Sequence, residues 1–377
     1  MLIQNGEILL FEHNGFVKSD IRIQEGKIKQ IASNLVPEDD EKILDASGQY
    51  ITPGLIDAHS HICISEEGRG EIGDDCNDYS SPLMPYLDVI DAVYPEDMAV
   101  KRAVEHGVTS ALVCPGSDSV IGGTCSLISL HGKVADEMVV VHKAAMKCAF
   151  GENPKRAGFS FKSRMGNAYL LRKCFEDALD YRHQKETANK EGRYFKKDLG
   201  MENMLLLLDR KIPLHAHAHR SDDICTAIRI AREYNVKLVI IHATDGSAIA
   251  DHIAKSSCPV ILGPTLYPRS KLETLSRNFN TAAILAKAGV RVCFTADHDV
   301  TPIYYLSTYA AESVRAGLDE LTALRAITAN PADILGVGDR KGYIRAGYDA
   351  DLVLWTGHPF HYATRVAQTF IAGERVS

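Results

Sequence analysis

A chain of 377 residues is long for one minimal domain and suits a barrel of roughly 250 residues with a smaller appendage. At 45% hydrophobic and 24% charged residues the composition is that of a globular protein, which leaves disordered and fibrous classes without support. The formal net charge of −7, with no long Lys/Arg block, offers no field to attract nucleic acid or an anionic membrane leaflet, so the expected partner is a small-molecule substrate.

The first fifty residues read as short strands, LIQNGEILL, DIRIQEGKIKQIA and KILDA, with Asn5-Gly6, Gly26 and Gly48 as turn signals. MLIQNGEILL lacks the basic and long apolar regions of an export signal, and no uncharged apolar run approaches the roughly 18 residues of a membrane span. The nine cysteines form no C-x-x-C pair, and Cys148 and Cys293 lie in apolar strand-like runs. A soluble, cytoplasmic protein with reduced thiols is expected. From Ile51 onward eight candidate strands follow: GLIDAHSHI, GVTSALVC, CSLISLHG, AAMKCAFG, IPLHAHAH, KLVIIHAT, PVILGPT and VRVCFTADH. Helix-like segments such as DDICTAIRIAREYN and FNTAAILAKAG alternate with them, which predicts βαβ units closing a parallel (β/α)8 TIM barrel. Gly122-Gly123-Thr124 lacks the Lys-Ser/Thr continuation of a phosphate loop and reads as a tight turn. Two long inserts, polar over 65–95 and charged and helical over 167–209, are expected to lie over the active face. After ELTALRAITANPADILG, the strands of GYIRAGYDADLVLW and VAQTFIAGERV are predicted to join the N-terminal ones. Residues 1–52 plus 340–377 would then form a small β-sandwich domain, and 53–339 the barrel.

The period-2 geometry of a strand puts Asp57, His59 and His61 on one face of GLIDAHSHI, so that His-x-His can grip one ion. His215, His217 and His219 share a face in IPLHAHAHR, His242 ends KLVIIHAT, and Asp297 ends CFTADHD. A lone pair of strand histidines is as readily structural, and Asp297 could cap a helix ahead of Thr301-Pro302. Several such residues at the C-terminal ends of successive strands point instead to the catalytic mouth of a barrel.

In that order these residues closely resemble the amidohydrolase superfamily, with PGLIDAHSH as entry motif and GYIRAGYDADLVLW as closing motif. HAHRSDDI, AFGENP, TADH and ITANPADILGV are most similar to imidazolonepropionase-related members, which border the prolidase-like dipeptidases. The resemblance spans essentially the whole chain. It implies a metal-dependent hydrolase that uses one or two divalent ions, zinc foremost, to cleave a C–N bond of an amide, cyclic amide or peptide. His59, His61 and Asp297 would hold the more buried ion, while His217 and His242 would hold a second or complete a single site. Lys147 in AAMKCAFG stands where relatives carry a carboxylated lysine bridging two metals. An ammonium has no lone pair, whereas a carbamate offers anionic oxygens. Lys143 shares its face, and a lysine snorkelling from a strand end is the alternative. A divalent ion lowers the pKa of water from about 16 toward roughly 7, and Asp297 would take that proton and return it to the leaving nitrogen. His219, Arg220, Glu152, Asn153, Lys155 and Arg164 are candidate substrate contacts, each alternatively a surface ion pair or solvated group. Two other readings compete: a metal-dependent deaminase of a nitrogen heterocycle, and a non-catalytic assembly relative, which predicts missing ligands. A homo-oligomer is expected.

Overall fold

The computed structural model of the protein describes every residue except Ala157 and Ser160. Its N-terminal strands are β1 (Leu2–Leu10), β2 (Gly15–Gln24), β3 (Lys27–Ala32), β4 (Ile43–Asp45) and β5 (Tyr50–Pro53). β2 and β3 pair as far as Gln24 and Lys27, leaving Glu25 and Gly26 as a two-residue turn with φ of 51° and 74°. Positive φ at both central residues matches the right-handed twist of a hairpin, and it is why Gly26 falls there.

The eight apolar runs become eight strands: β6 (Leu55–Ser60), β7 (Val108–Val113), β8 (Ile121–Ser129), β9 (Val139–Ala149), β10 (Leu214–Ala218), β11 (Leu238–His242), β12 (Val260–Leu262) and β13 (Val292–Phe294). They form one eight-stranded sheet in sequence order. It curls into a nearly closed barrel consistent with a TIM barrel, because the residues after β13 bond back to β6: Ala296 N–H donates to Asp57 Oδ2 at 3.0 Å, and the Thr295 hydroxyl to the His59 carbonyl. In β10 the period of two sets Leu214, Ala216 and Ala218 against the helical layer. The same period leaves His215 and His217 facing the interior, with His219 at its mouth.

The expected all-parallel barrel is corrected at β8, which runs antiparallel to both β7 and β9. The links over 114–120 and 130–138 are shorter than the dozen or so residues a crossover needs, and carry only the turn Ala135–Met138. Gly122-Gly123-Thr124 is therefore neither a phosphate loop nor a tight turn; it lies inside β8. Gly123 has φ of 128°, and a Cβ there would stand 2.8 Å from the Leu87 carbonyl oxygen.

The inserts divide. The first follows β6 and lines the barrel mouth through Ser65, Asp74, Cys76 and Asn77. The second, expected over the same face, instead builds the outer wall as helices Arg164–Lys190 and Leu199–Leu208. Leu171, Cys174, Phe175 and Ala178 recur at helical spacing and join the main core, so this stretch is the crossover from β9 to β10.

The C-terminal strands β14 (Leu352–Trp355), β15 (Val366–Ile371) and β16 (Glu374–Arg375) complete a second sheet, ordered β16-β15-β14-β5-β1-β2-β3 with β4 also beside β1. All eight terminal strands share this one hydrogen-bonded sheet. β14 is apolar on both faces. Leu352 and Leu354 enter a core with Ile3, Ile8 and Ile51, while Val353 and Trp355 belong to the main barrel core. All nine cysteines are free, with Cys148 and Cys293 buried. No described helix is long and apolar enough to cross a membrane.

Candidate metal centre

His59 and His61 leave the end of β6, and the turn after β13 carries Asp297 to them. His59 Nε2 and His61 Nε2 lie 3.2 and 3.4 Å from Asp297 Oδ1, an oxygen without a hydrogen-bond partner among the described residues. All three side chains are buried. An unsatisfied buried carboxylate oxygen is costly, so three donors converging on one point are the chemistry of a cation site. The other nitrogen of His61, Nδ1, lies 2.7 Å from the Cys114 carbonyl, which fixes the ring with Nε2 toward Asp297. Burial opposes charge on His61, yet Cys76 and Asp297 raise its pKa well above the usual histidine value. Burial likewise opposes the Asp297 anion, but the imidazoles of His242, His59 and His61 hold its carboxyl well below the ordinary range.

Asp297 is not a helix cap. Its backbone and that of His242 sit in the left-handed region, with φ of 54° and 75°, costing each roughly 1–2 kcal/mol. Strain of this kind concentrates at functional sites. The Thr295 hydroxyl secures the turn, accepting the Asp297 N–H at 2.7 Å while donating to His59. Asp57, expected on one face with the histidines, turns away to the backbone. A register irregularity between Asp57 and Ser60 breaks the alternation.

The second donor set is His217, His219 and His242, whose ligand atoms lie within 4.8 Å of one another. His219, expected as a substrate contact, thus stands among the donors. His242 Nδ1 is 2.6 Å from the Gly263 carbonyl and His219 Nδ1 is 2.7 Å from Thr244 Oγ1. Burial first, and neighbouring imidazoles second, hold all three pKa values well below the usual one, so the rings are neutral and their lone pairs available. His215 lies deeper, with neither ring nitrogen hydrogen-bonded among the described residues and its pKa pushed down to about 4, chiefly by burial.

Lys147 is 1% exposed and places Nζ 3.2 Å from His59 Nε2. Among the described residues no carboxylate pairs with it. Lys143 belongs elsewhere: its Nζ donates to Asn203 Oδ1 at 3.0 Å and lies 3.5 Å from Asp88 Oδ2.

Both donor sets open into a cavity of about 300 Å³. A wider one of about 700 Å³, lined by residues that precede β10, β11, β12 and β13, contains none of these donors; chemistry rather than volume marks the site. Of the other expected substrate contacts, Asn153 lines the smaller cavity, donating to Ser117 Oγ at 2.7 Å and accepting from Lys271 Nζ. Glu152 instead exchanges backbone-to-carboxylate bonds of 2.9 and 3.2 Å with Glu273, clamping the loop after β9 to that after β12. Arg164 is spent on Asp223 at 3.0 and 3.1 Å, and Arg220 on Asp222 at 3.0 and 3.1 Å; neither lines the cavity, nor does Lys155. Among the residues that sequence reasoning missed are Tyr267, Ser270, Lys271, Thr274 and Arg277. They follow the strand PVILGPT, and that position, in a loop after a barrel strand, was the available signal.

A barrel whose mouth gathers two sets of buried nitrogen and oxygen donors defines a metal-centre barrel protein. Residues 50–376 match the amidohydrolase family, and the chain belongs to that family. The crystal structure of an amidohydrolase from Thermotoga maritima MSB8 is 39% identical, with a TM-score of 0.97 and coverage of 100% of this chain and 99% of that one. Amidohydrolase tasK of Hapsidospora irregularis is 28% identical over 388 residues, 94% of this chain, which spans 39% of that relative's length. Imidazolonepropionase of Thermoplasma volcanium is 23% identical over 378 residues, 91% of this chain and 86% of its own.

Proposed function

We propose that the protein is a metal-dependent hydrolase that cleaves the C–N bond of an amide, cyclic amide or peptide in a small polar substrate. The observation that carries this reading is the convergence of His59 Nε2 and His61 Nε2 on the unpartnered Asp297 Oδ1. Its similarity to an imidazolonepropionase supports hydrolysis of a small nitrogen compound.

His59, His61 and Asp297 would hold one ion, and His217 and His242, with His219 beside them, a second. Imidazole nitrogens with a carboxylate suit zinc. When bound, such an ion supplies Lewis acidity toward the scissile carbonyl and activates water. Asp297, kept ionised, is placed to accept a proton from the attacking water and pass it to the leaving nitrogen. Lys147 we read as a carbamate: its neutral amine would add CO2, forming an N–C bond and releasing a proton. The support is a buried ammonium that has no described carboxylate partner and lies against an imidazole. Residues 1–52 with 340–377 are proposed as the small β unit, and 53–339 as the barrel.

The test is metal content of the protein purified without chelator, paired with hydrolysis of an amide and lactam panel. Near two ions per chain and amide cleavage are expected, with Asp297→Asn lowering kcat by about 10²–10⁴-fold in a folded protein. Absence of metal with no gain on adding zinc, or full activity in Asp297→Asn, overturns the reading. Release of ammonia from a heterocycle in place of amide cleavage would move the protein to the deaminase alternative.

A further inference from the structure

The segment 264–278, between β12 and the helix Asn280–Lys287, brings two cations, Lys271 and Arg277, into the cavity that holds the donor sets. Arg277 is half-buried and fixed by backbone. Its Nη1 donates to the carbonyls of Tyr267 and Pro268 at 2.8 and 3.0 Å. Arg269 braces the same segment from the other side, donating to the Leu275 and Arg277 carbonyls at 2.8 and 2.9 Å. Lys271 is held by Asn153, which is itself anchored on Ser117. Among the described residues no carboxylate pairs with either cation, and Nε and Nη2 of Arg277 make no hydrogen bond.

The remaining charged groups facing this cavity are Lys147, Asp74, Asp118, Asp297 and Asp299. Asp118 accepts from the Tyr79 hydroxyl at 2.8 Å, and Asp297 belongs to the donor set. Lys271 and Arg277 line this cavity together with His217, His219 and His242, and Arg277 and His242 also line a second, small recess together. A partly desolvated guanidinium with free N–H groups in a fixed plane matches a carboxylate two-to-two, and an ammonium beside it adds charge without imposing direction.

We propose that Lys271 and Arg277 form a carboxylate-recognising wall, and that the substrate is an amide bearing a free carboxylate near the scissile bond, of the N-acyl amino acid class. The proposal rests on the hydrolase reading given above and names the substrate end that this reading leaves open. Recognition lies on the loop after β12, not on Arg164 or Arg220, which pair with Asp223 and Asp222 and do not line this cavity.

The experiment compares N-acyl amino acids with their C-terminal amides on the zinc-loaded protein, reading binding by calorimetry and turnover separately. The wild type is expected to bind the best free acid at least 100-fold more tightly than its amide. Arg277→Met should bring that ratio down toward one, acting through KM rather than kcat, while Arg277→Lys keeps part of it and shows that the segment still folds. Lys271→Met should lower the ratio by a smaller factor. Equal binding of acids and amides, no binding of any acid at millimolar concentration, or an undiminished ratio in folded Arg277→Met overturns the proposal. Binding preference without turnover of any member would instead sink the hydrolase reading and leave the carboxylate site standing.

Discussion

Asp57 holds two ends of the metal centre together without being one of its donors. Its Oδ1 accepts the His59 N–H at 3.1 Å and its Oδ2 the Ala296 N–H at 3.0 Å, which ties the strand bearing two histidines to the turn bearing Asp297. Complete burial pushes its pKa up to about 7 despite those bonds. Asn at this position keeps one acceptor and turns its NH2 toward the other backbone donor, so Asp57→Asn should cost about 1–3 kcal/mol. Urea unfolding of the metal-free protein checks this, and metal bound per chain should fall as well. Wild-type stability and full metal content would show that the two bonds matter little. His59, His61, His217, His242 and Asp297 were legible beforehand because a strand's period of two and the barrel's polarity place them together. The same period cannot choose among His215, His217 and His219, which all point one way; depth in the barrel separates them. Arg277 was illegible, since its usefulness depends on two carbonyls ten and nine residues upstream in an irregular loop.

Between β12 and β13 the site depends on close approach of backbone. Gly263 has φ of 136°, and a Cβ there would meet the Thr295 carbonyl oxygen at 2.0 Å. The carbonyl of Gly263 also holds His242 Nδ1. Gly263→Ala must therefore part the strand ends that carry His242 and Asp297, at a cost of about 2–4 kcal/mol. Thermal melting together with metal content tests it; retention of both would mean that the strand ends can yield. In the terminal sheet, Arg22 on β2 binds Glu41 in a near-inaccessible pair, at 3.0 Å from Nε to Oε1 and 3.0 Å from Nη2 to Oε2. That hydrogen bonding lowers the Glu41 pKa to about 2. A depressed carboxylate contributes its stability above its unfolded value near 4.5 and loses it as pH falls toward about 2. The melting difference between wild type and Glu41→Gln should accordingly shrink from pH 6 to pH 2, and a difference that ignores pH would refute the ion pair. At this scale eight barrel strands were legible as apolar runs, but the reversal of β8 was not, because an apolar strand carries no mark of its direction. Only the short links over 114–120 and 130–138 do.

Across the whole molecule one face of the terminal sheet packs into the hydrophobic core of the barrel, while the other carries a core of its own. Val353, Trp355 and Ile371 are part of the same cluster as the barrel strands and their helices. Polar ties cross at the same place: Thr369 Oγ1 donates to the Val104 carbonyl at 2.6 Å, and Gly107 leaves room for Val353, which a Cβ would approach to 2.8 Å. Sequence suggested a small β-sandwich domain from the return of the tail to strands, and nothing in a strand pattern tells which face of β14 looks at the barrel. Trp355 is the chain's single tryptophan and is 3% exposed, with Nε1 donating to Thr52 Oγ1 at 3.0 Å. Its fluorescence therefore reports on this junction alone. If the junction is as continuous as its packing, the fluorescence transition on urea unfolding should coincide with the main loss of helical circular dichroism. Trp355→Ala, followed by circular dichroism alone, should lower the unfolding midpoint by the equivalent of about 3–5 kcal/mol. A fluorescence change completed well before the helices unfold would instead show the terminal sheet leaving the barrel as a separate cooperative unit.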